Sequence, residues 1–260
     1  MSLYLRFAQR NGRTILAERR VLYPYAITAP INRAGVAELT LQSISGGLYG
    51  GEHVAQHIHL RPGAAARLVQ PAATTVRRRA ATGPARQTIS LKAEENTTLV
   101  YATRPLIMLP DAALEQNWEI TTSPGARIMF WDGFASHNPK GEKPEWSLTS
   151  RVSVRGPDGK LLATERMAVD GTTLANELQG MAGRFSAFGK IWCLGFTPGQ
   201  TMPDISSQAS FGQTLLPNNV GFAIALAAAD GGALCAALQE ILGKAEHPDT
   251  SWVLKPPGAA

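Results

Sequence analysis

Through most of the first 160 residues, hydrophobic and polar positions alternate with a period of two. Val54, Gln56, Ile58 and Leu60 interleave with His53, Ala55, His57 and His59. Ile89 and Leu91 interleave with Thr88 and Ser90, and the pattern returns at Ile128 and Phe130 and at Val152 and Val154. A strand shows successive side chains to opposite faces, so this alternation predicts half-buried β-strands. A strand–turn–strand unit recurs as HVAQHIHL-RPGA-AARLV, QTISL-KAEEN-TTLVYA, QNWEITT-SPGA-RIMFW and SRVSV-RGPDG-KLLATERM. The turns centre near Pro62, Glu95, Pro124 and Pro157, a spacing of about thirty residues. Such a period predicts stacked β layers, each covering the apolar face of its neighbour. The Pro-Gly-Ala at 62–64 and again at 124–126 is its clearest mark. Ordinary hairpins in a sandwich are the alternative.

Beyond residue 170 the pattern changes. Thr172 to Met181 reads as helical, and Gly199 to Ser210 as a polar loop. The apolar run 219–229 suits a buried strand. Leu234, Leu238, Ile241 and Leu242 recur at helical spacing within 232–242, with Gly243 where a C-cap would fall. The expectation is a mainly β chain: a stacked-layer, β-solenoid-type domain with a few C-terminal helices. It reads as one domain over 1–260, strand-rich over 1–170 and mixed over 171–260.

Composition agrees. Of 260 residues, 44% are hydrophobic and 17% charged, enough apolar material for a sizeable core, and 25 Gly with 17 Pro suit many short strands joined by turns. No run of about 18 apolar residues predicts a membrane span, and no signal-peptide core follows the early arginines, so the expected location is cytoplasmic. Cys193 and Cys235 stand alone, which argues against a disulfide framework or a zinc site. The net charge of +5 fits an acidic partner or nucleic acid. Only Arg77-Arg78-Arg79 concentrates it, however, without interleaved aromatics, so nucleic-acid binding is not expected.

Few residues carry candidate chemistry. His57-x-His59 has the spacing of two metal ligands on one strand face. The opposing reading has these histidines facing solvent, opposite the apolar side. Gly46, Gly47, Gly50 and Gly51 form a glycine-rich run with neither the lysine of a phosphate loop nor dinucleotide-binding spacing, so a sharp bend is the plain reading. Glu52 follows it directly and would display a carboxylate. Trp131 and Asp132 suit an interface patch, with the core as the other reading for Trp131. No nucleophile motif occurs. A β-solenoid enzyme acting on carbohydrate would need paired carboxylates, and among 20 acids no pair is visible.

Several consecutive blocks resemble the UreD (UreH) urease accessory protein family. LQSISGGLYGGEHV (41–54) is similar to that family's glycine-rich signature, with Glu52 where the family has aspartate. RPGAAARLVQPAATTVRRR (61–79) resembles the block that follows, with Thr75-Val76-Arg77 in place of Lys-Val-Tyr. GPARQTISL (83–91), RPLIMLPDAALEQ (104–116), SPGARIMFWDGFASH (123–137) and GKLLATERMAVDG (159–171) continue in order. The resemblance implies a β-helical fold, no catalysis of its own, and no tightly bound cofactor. It implies partnership with UreF and, through it, the GTPase UreG, docking on apo-urease, and nickel in transit, with a dimer of the accessory complex as one assembly. Transient nickel contact then falls to Glu52, His57 and His59, with Asp132 a further carboxylate on a polar path. A relative serving another enzyme is the alternative within the family.

Overall fold

The computed structural model describes residues 1–77, 83–141, 143–176, 185–196 and 209–246. A hairpin opens the chain: β1 (Leu3–Arg10) and β2 (Arg13–Val21) pair antiparallel across Asn11-Gly12, both at positive φ, as a two-residue primed turn requires. Then β3 (Tyr25–Ile27) and β4 (Ile31–Arg33) both pair with β5 (Val36–Ser43).

From residue 53 the path repeats. β6 (His53–Leu60) turns a corner into β7 (Ala65–Val69), followed by the short β8 (Thr75–Val76). β9 (Ala85–Ala93), β10 (Thr98–Ala102) and β11 (Leu106–Met108) retrace that path one layer on. β12 (Ala113–Thr122) and β13 (Arg127–Ser136) retrace it again. Equivalent strands pair in parallel, β6–β9–β12 on one side and β7–β10–β13 on the other. The expected layering is therefore present, a β-solenoid-like stack of about three turns. Its corners are cross-linked: Gly63 N–H donates to Glu95 O at 3.0 Å, and Asn96 N–H to Pro124 O at 3.2 Å. Gly63, Asn96 and Gly125 all hold positive φ, and a Cβ at Gly125 would overlap the Asn96 side chain. The duplicated Pro-Gly-Ala thus marks two turns of one corner column.

The fourth strand–turn–strand unit differs from the other three. β14 (Ser147–Arg155) continues the parallel stack beside β12, but β15 (Leu161–Asp170) folds back antiparallel in the same sheet. Its turn closes on itself, with Gly156 N–H donating to Lys160 O and Asp158 Oδ1 accepting from Lys160 N–H. After the short α1 (Gly171–Asn176), the strands β16 (Ala187–Leu194), β17 (Ala209–Leu215) and β18 (Gly221–Ala228) extend the second sheet. The first sheet has seven strands, β15-β14-β12-β9-β6-β1-β2. The second has eleven, with the path β17-β18-β16-β13-β10-β7-β5-β3 and β4, β8 and β11 beside it.

Two cores follow from the alternation. Leu5, Ile58, Leu91, Trp118, Phe130 and Trp192 fill the space between the sheets. Met129, Ile191, Ile224, Leu234 and Leu238 pack between the second sheet and α2 (Gly231–Glu246). The apolar run 219–229 supplies β18. The C-terminal helix passes through Gly243 rather than stopping there, because Ile241 and Leu242 are buried against the sheet while Gly243 faces open space. The helical reading of 172–181 holds over 171–176, and 177–181 lies outside the described residues. Of the loop expected at 199–210, Ala209 and Ser210 begin β17 and the rest lies outside them.

Candidate functional site: a buried polar track

The inward faces of the first sheet should be uniformly apolar, yet Gln56, Gln87, Gln116 and Ser150 all point into the core and are buried. In register, Gln116 stands beside Gln87 on one flank and Ser150 on the other, so the three form a rung across β9, β12 and β14. Gln116 Nε2 donates to Gln87 Oε1 at 2.8 Å, and the Ser150 hydroxyl lies 3.2 Å from Gln116 Oε1. Gln56 sits one inward position further along β6, and two tyrosines of the second sheet bridge the step. Gln56 Nε2 donates to the Tyr25 hydroxyl at 2.8 Å, and the Tyr101 hydroxyl donates to Gln56 Oε1 at 2.5 Å. The Tyr25 hydroxyl is also hydrogen-bonded to Gln87. Burial pushes the Tyr25 phenol up to about 12, and Tyr101 well above its ordinary value, so both stay neutral.

The track ends at charge. Ser150 Oγ lies 2.8 Å from Asp132 Oδ2. Asp132 comes from the inward face of β13; the residue keeps some exposure, but its carboxyl group is buried. That carboxyl is pushed up to about 6: desolvation is the largest cause and Glu165 adds to it, while the Ser150 hydrogen bond and Lys190 pull the other way. Lys190 is the direct register partner of Asp132 and forms an ion pair with Glu165 of β15. The single Ser150 proton can serve either Gln116 or Asp132. An ionised Asp132 claims it; a protonated Asp132 can donate to Ser150 and release that proton to Gln116. Trp118, 1% exposed, lines the same space with an indole N–H that has no partner among the described residues. Gln87, Gln116, Trp118 and Asp132 border a narrow cavity of about 20 Å³, room for about one water. A water there would accept from Trp118 and donate to the track's oxygens.

This arrangement is costly. A buried amide or hydroxyl without its partner costs about 1–3 kcal/mol, whereas aliphatic side chains at the same positions would need no partners at all. The donor set is amide, hydroxyl and carboxylate oxygen in single file. No group of three or more His, Cys, Asp or Glu able to hold a metal ion occurs among the described residues. Such oxygens suit weak, exchangeable contact with a divalent cation rather than a closed site.

The residues singled out from the sequence fall in separate places. Asp132 alone belongs to the track. Trp131, the next residue on β13, faces the opposite way into the core beneath α2, 5% exposed, with its indole N–H donating to Thr103 O; of its two readings, the structure gives the core. His53, His57 and His59 do share the outer face of β6. His59 is held in place: Glu94 Oε1 lies 2.7 Å from its Nε2, with Arg61 at 3.3 Å from the same oxygen. Glu52 is turned back to accept from Tyr49 N–H at 3.0 Å. At about 3.3 Å per extended residue it sits roughly 23 Å along the chain from His59. The glycine run is a bend, with Gly46, Gly47 and Gly51 at positive φ and Gly47 packed so tightly on Thr75 that no Cβ would fit. Gly50 completes it without positive φ. Arg77 is exposed at its foot, N–H donating to Leu48 O and guanidinium 5.8 Å from the Tyr49 ring. Arg78 and Arg79 lie outside the described residues. Sequence reasoning missed Gln56, Gln87, Gln116, Ser150, Glu165 and Lys190. The available signal was a polar side chain recurring at inward positions of the period-two pattern.

A family model described as UreD urease accessory protein matches residues 2–251. A urease accessory protein UreD 1 of Pseudomonas syringae pv. syringae is 32% identical over 243 residues, covering 88% of this chain and 84% of that protein. One of Methylorubrum populi is 33% identical over 247 residues, covering 90% and 83%. A urease accessory protein UreD of Mycolicibacterium smegmatis is 28% identical over 236 residues, covering 88% and 84%.

Proposed function

Since this chain belongs to the UreD urease accessory protein family, we propose that it serves urease maturation as a non-catalytic scaffold that passes nickel through its interior. In this reading it acts in the cytoplasm with UreF, the GTPase UreG and apo-urease. The observation that carries it is the continuous polar track inside an otherwise apolar sandwich, ending on the Asp132 and Glu165 carboxylates. A dehydrated divalent cation cannot cross an apolar core. A file of oxygen donors, each replaceable by the next, offers it a path without a trap.

The chain's residues divide the work. Gln56, Gln87 and Gln116 present carbonyl oxygens while their amide groups hold one another and the tyrosines in place. Asp132 and Glu165 supply negative charge where the cation is held longest. His57 and His59 form an outer imidazole pair for a first, superficial contact. Glu52 is a separate surface carboxylate on the glycine bend.

The test is urease activation in cells carrying the urease subunits and the other accessory proteins, with this chain replaced by variants. Asp132→Asn and Glu165→Gln should each lower the nickel content and activity of urease at least about fivefold while capture of UreF is unchanged. Full nickel loading by both variants would remove the track from the mechanism. Failure of the wild-type chain to capture UreF or urease would remove the scaffold reading itself. The double variant His57→Ala/His59→Ala reads the outer contact separately.

A further inference from the structure

An inward-facing lysine is out of place in the apolar face of a sheet. Lys190 occupies such a position on β16, between Phe188 and Trp192, whose side chains join the inter-sheet core. Its register partner is Asp132, and its ammonium pairs with Glu165, reached across the gap from the other sheet. The chain's own cation therefore stands against the end of the track, paired with Glu165 and acting on Asp132 through its charge from the neighbouring strand. That ammonium is also 5.8 Å from the centroid of the Trp192 ring, and its side chain keeps 27% of its surface exposed, against 34% for Glu165. It thus stands where the buried file meets solvent and is not locked inside.

We infer that Lys190 is a resident stand-in for the cargo cation: it neutralises the Asp132–Glu165 end at rest and must swing aside before a divalent ion can be held there. This rests on the proposed route for nickel and specifies how that route is gated. The charge accounting favours exchange. Two carboxylates and one ammonium carry a net −1. Two carboxylates and a divalent ion are neutral, with the ammonium released to solvent and the Trp192 face. Lysine suits the role because its charge is a point at the tip of a flexible stem, unlike the planar fork of arginine. The cavity beside Asp132, with the Trp118 N–H, unpartnered among the described residues, on its wall, provides space for the ion's water on the inner side. Because the site is open only while the lysine is displaced, the apparent affinity for metal is lowered by the open fraction. The lysine therefore prevents the track end from becoming a sink.

The experiment is calorimetric titration of the purified chain with nickel chloride, comparing wild type with Lys190→Met, Lys190→Arg and the triple variant Lys190→Met/Asp132→Asn/Glu165→Gln. Thermal melts of each variant verify folding, with Lys190→Gln as substitute should the methionine variant melt early. Binding by surface histidines is common to all and cancels in the comparison. Lys190→Met should bind nickel about tenfold more tightly than wild type, the arginine variant no more tightly than wild type, and the triple variant should lose the gain. An affinity for Lys190→Met equal to wild type overturns the inference, as does a gain that survives in the triple variant. Neither result touches the route itself, which is judged by urease activation with Asp132→Asn and Glu165→Gln.

Discussion

Replacing Asp132 by Asn should make the protein more stable and less competent at the same time. Burial pushes the Asp132 carboxyl up to about 6, against about 3.9 in an unfolded chain. In the folded state the acid therefore holds its proton about two units longer than in the unfolded state. Between these values the native chain binds the extra proton, so stability falls as pH rises from about 4 to about 6 and then levels off. At 1.36 kcal/mol per unit, ionised Asp132 costs the native state about 3 kcal/mol at pH 7.5 relative to its neutral form. Asn copies the neutral form in shape and keeps an oxygen for Ser150. The variant should thus exceed wild type by about 3 kcal/mol at pH 7.5, by about half that at pH 5, and by only about 0.5 kcal/mol at pH 4. Urea unfolding at the three pH values measures it. A stability difference independent of pH, or a variant weaker at pH 7.5, would refute the assignment of Asp132 as a destabilised buried carboxylate. A variant that is stabilised yet loads urease normally would show that the carboxylate is tolerated rather than used.

Other substitutions probe the frame around this site. Gln116→Leu interrupts the file, leaving the Gln87 carbonyl without its donor while Ser150 keeps Asp132, and should cost about 1–3 kcal/mol in urea unfolding as well as urease activation. Gly125→Ala forces a Cβ onto the Asn96 side chain in a left-handed turn and should lower stability by about 1–3 kcal/mol, visible as a reduced thermal midpoint. Leu234→Ala empties the interface between α2 and the second sheet, where Leu234 is fully buried, and should cost about 2–5 kcal/mol in the same measurement.

How much of this was legible in the sequence depends on whether a feature is written in local pattern or in register. The strands were readable because burial on one face imposes a period of two, and the layer repeat because the corner column demands Gly, Asn or Gly at left-handed positions 63, 96 and 125. The fourth unit carried the same strand–turn–strand signature. Whether a turn becomes a corner or a hairpin, however, depends on hydrogen bonds to the neighbouring layer, and the turn at 156–160 has its bonds within itself. The histidines of β6 drew attention by residue type and by a favourable spacing. The structure puts them on the outer face of the first sheet, opposite the side where the polar side chains converge.

The track itself lay just beyond what one sequence can show. Gln56, Gln87, Gln116 and Ser150 stand in four strands separated by about thirty residues each, and only the parallel register brings their side chains together. Each alone reads as a tolerable exception on an apolar face. Together they make three exceptions at stacked positions and a fourth, Gln56, one inward step along, joined to them through Tyr25. That connection links fold to function here. A parallel stack repeats its inward positions at strand spacing, about 4.8 Å, so one polar residue per layer becomes a continuous file of donors and acceptors. For the proposed route, the layered fold supplies the pitch, and Asp132, Glu165 and Lys190 at its open edge supply the charge.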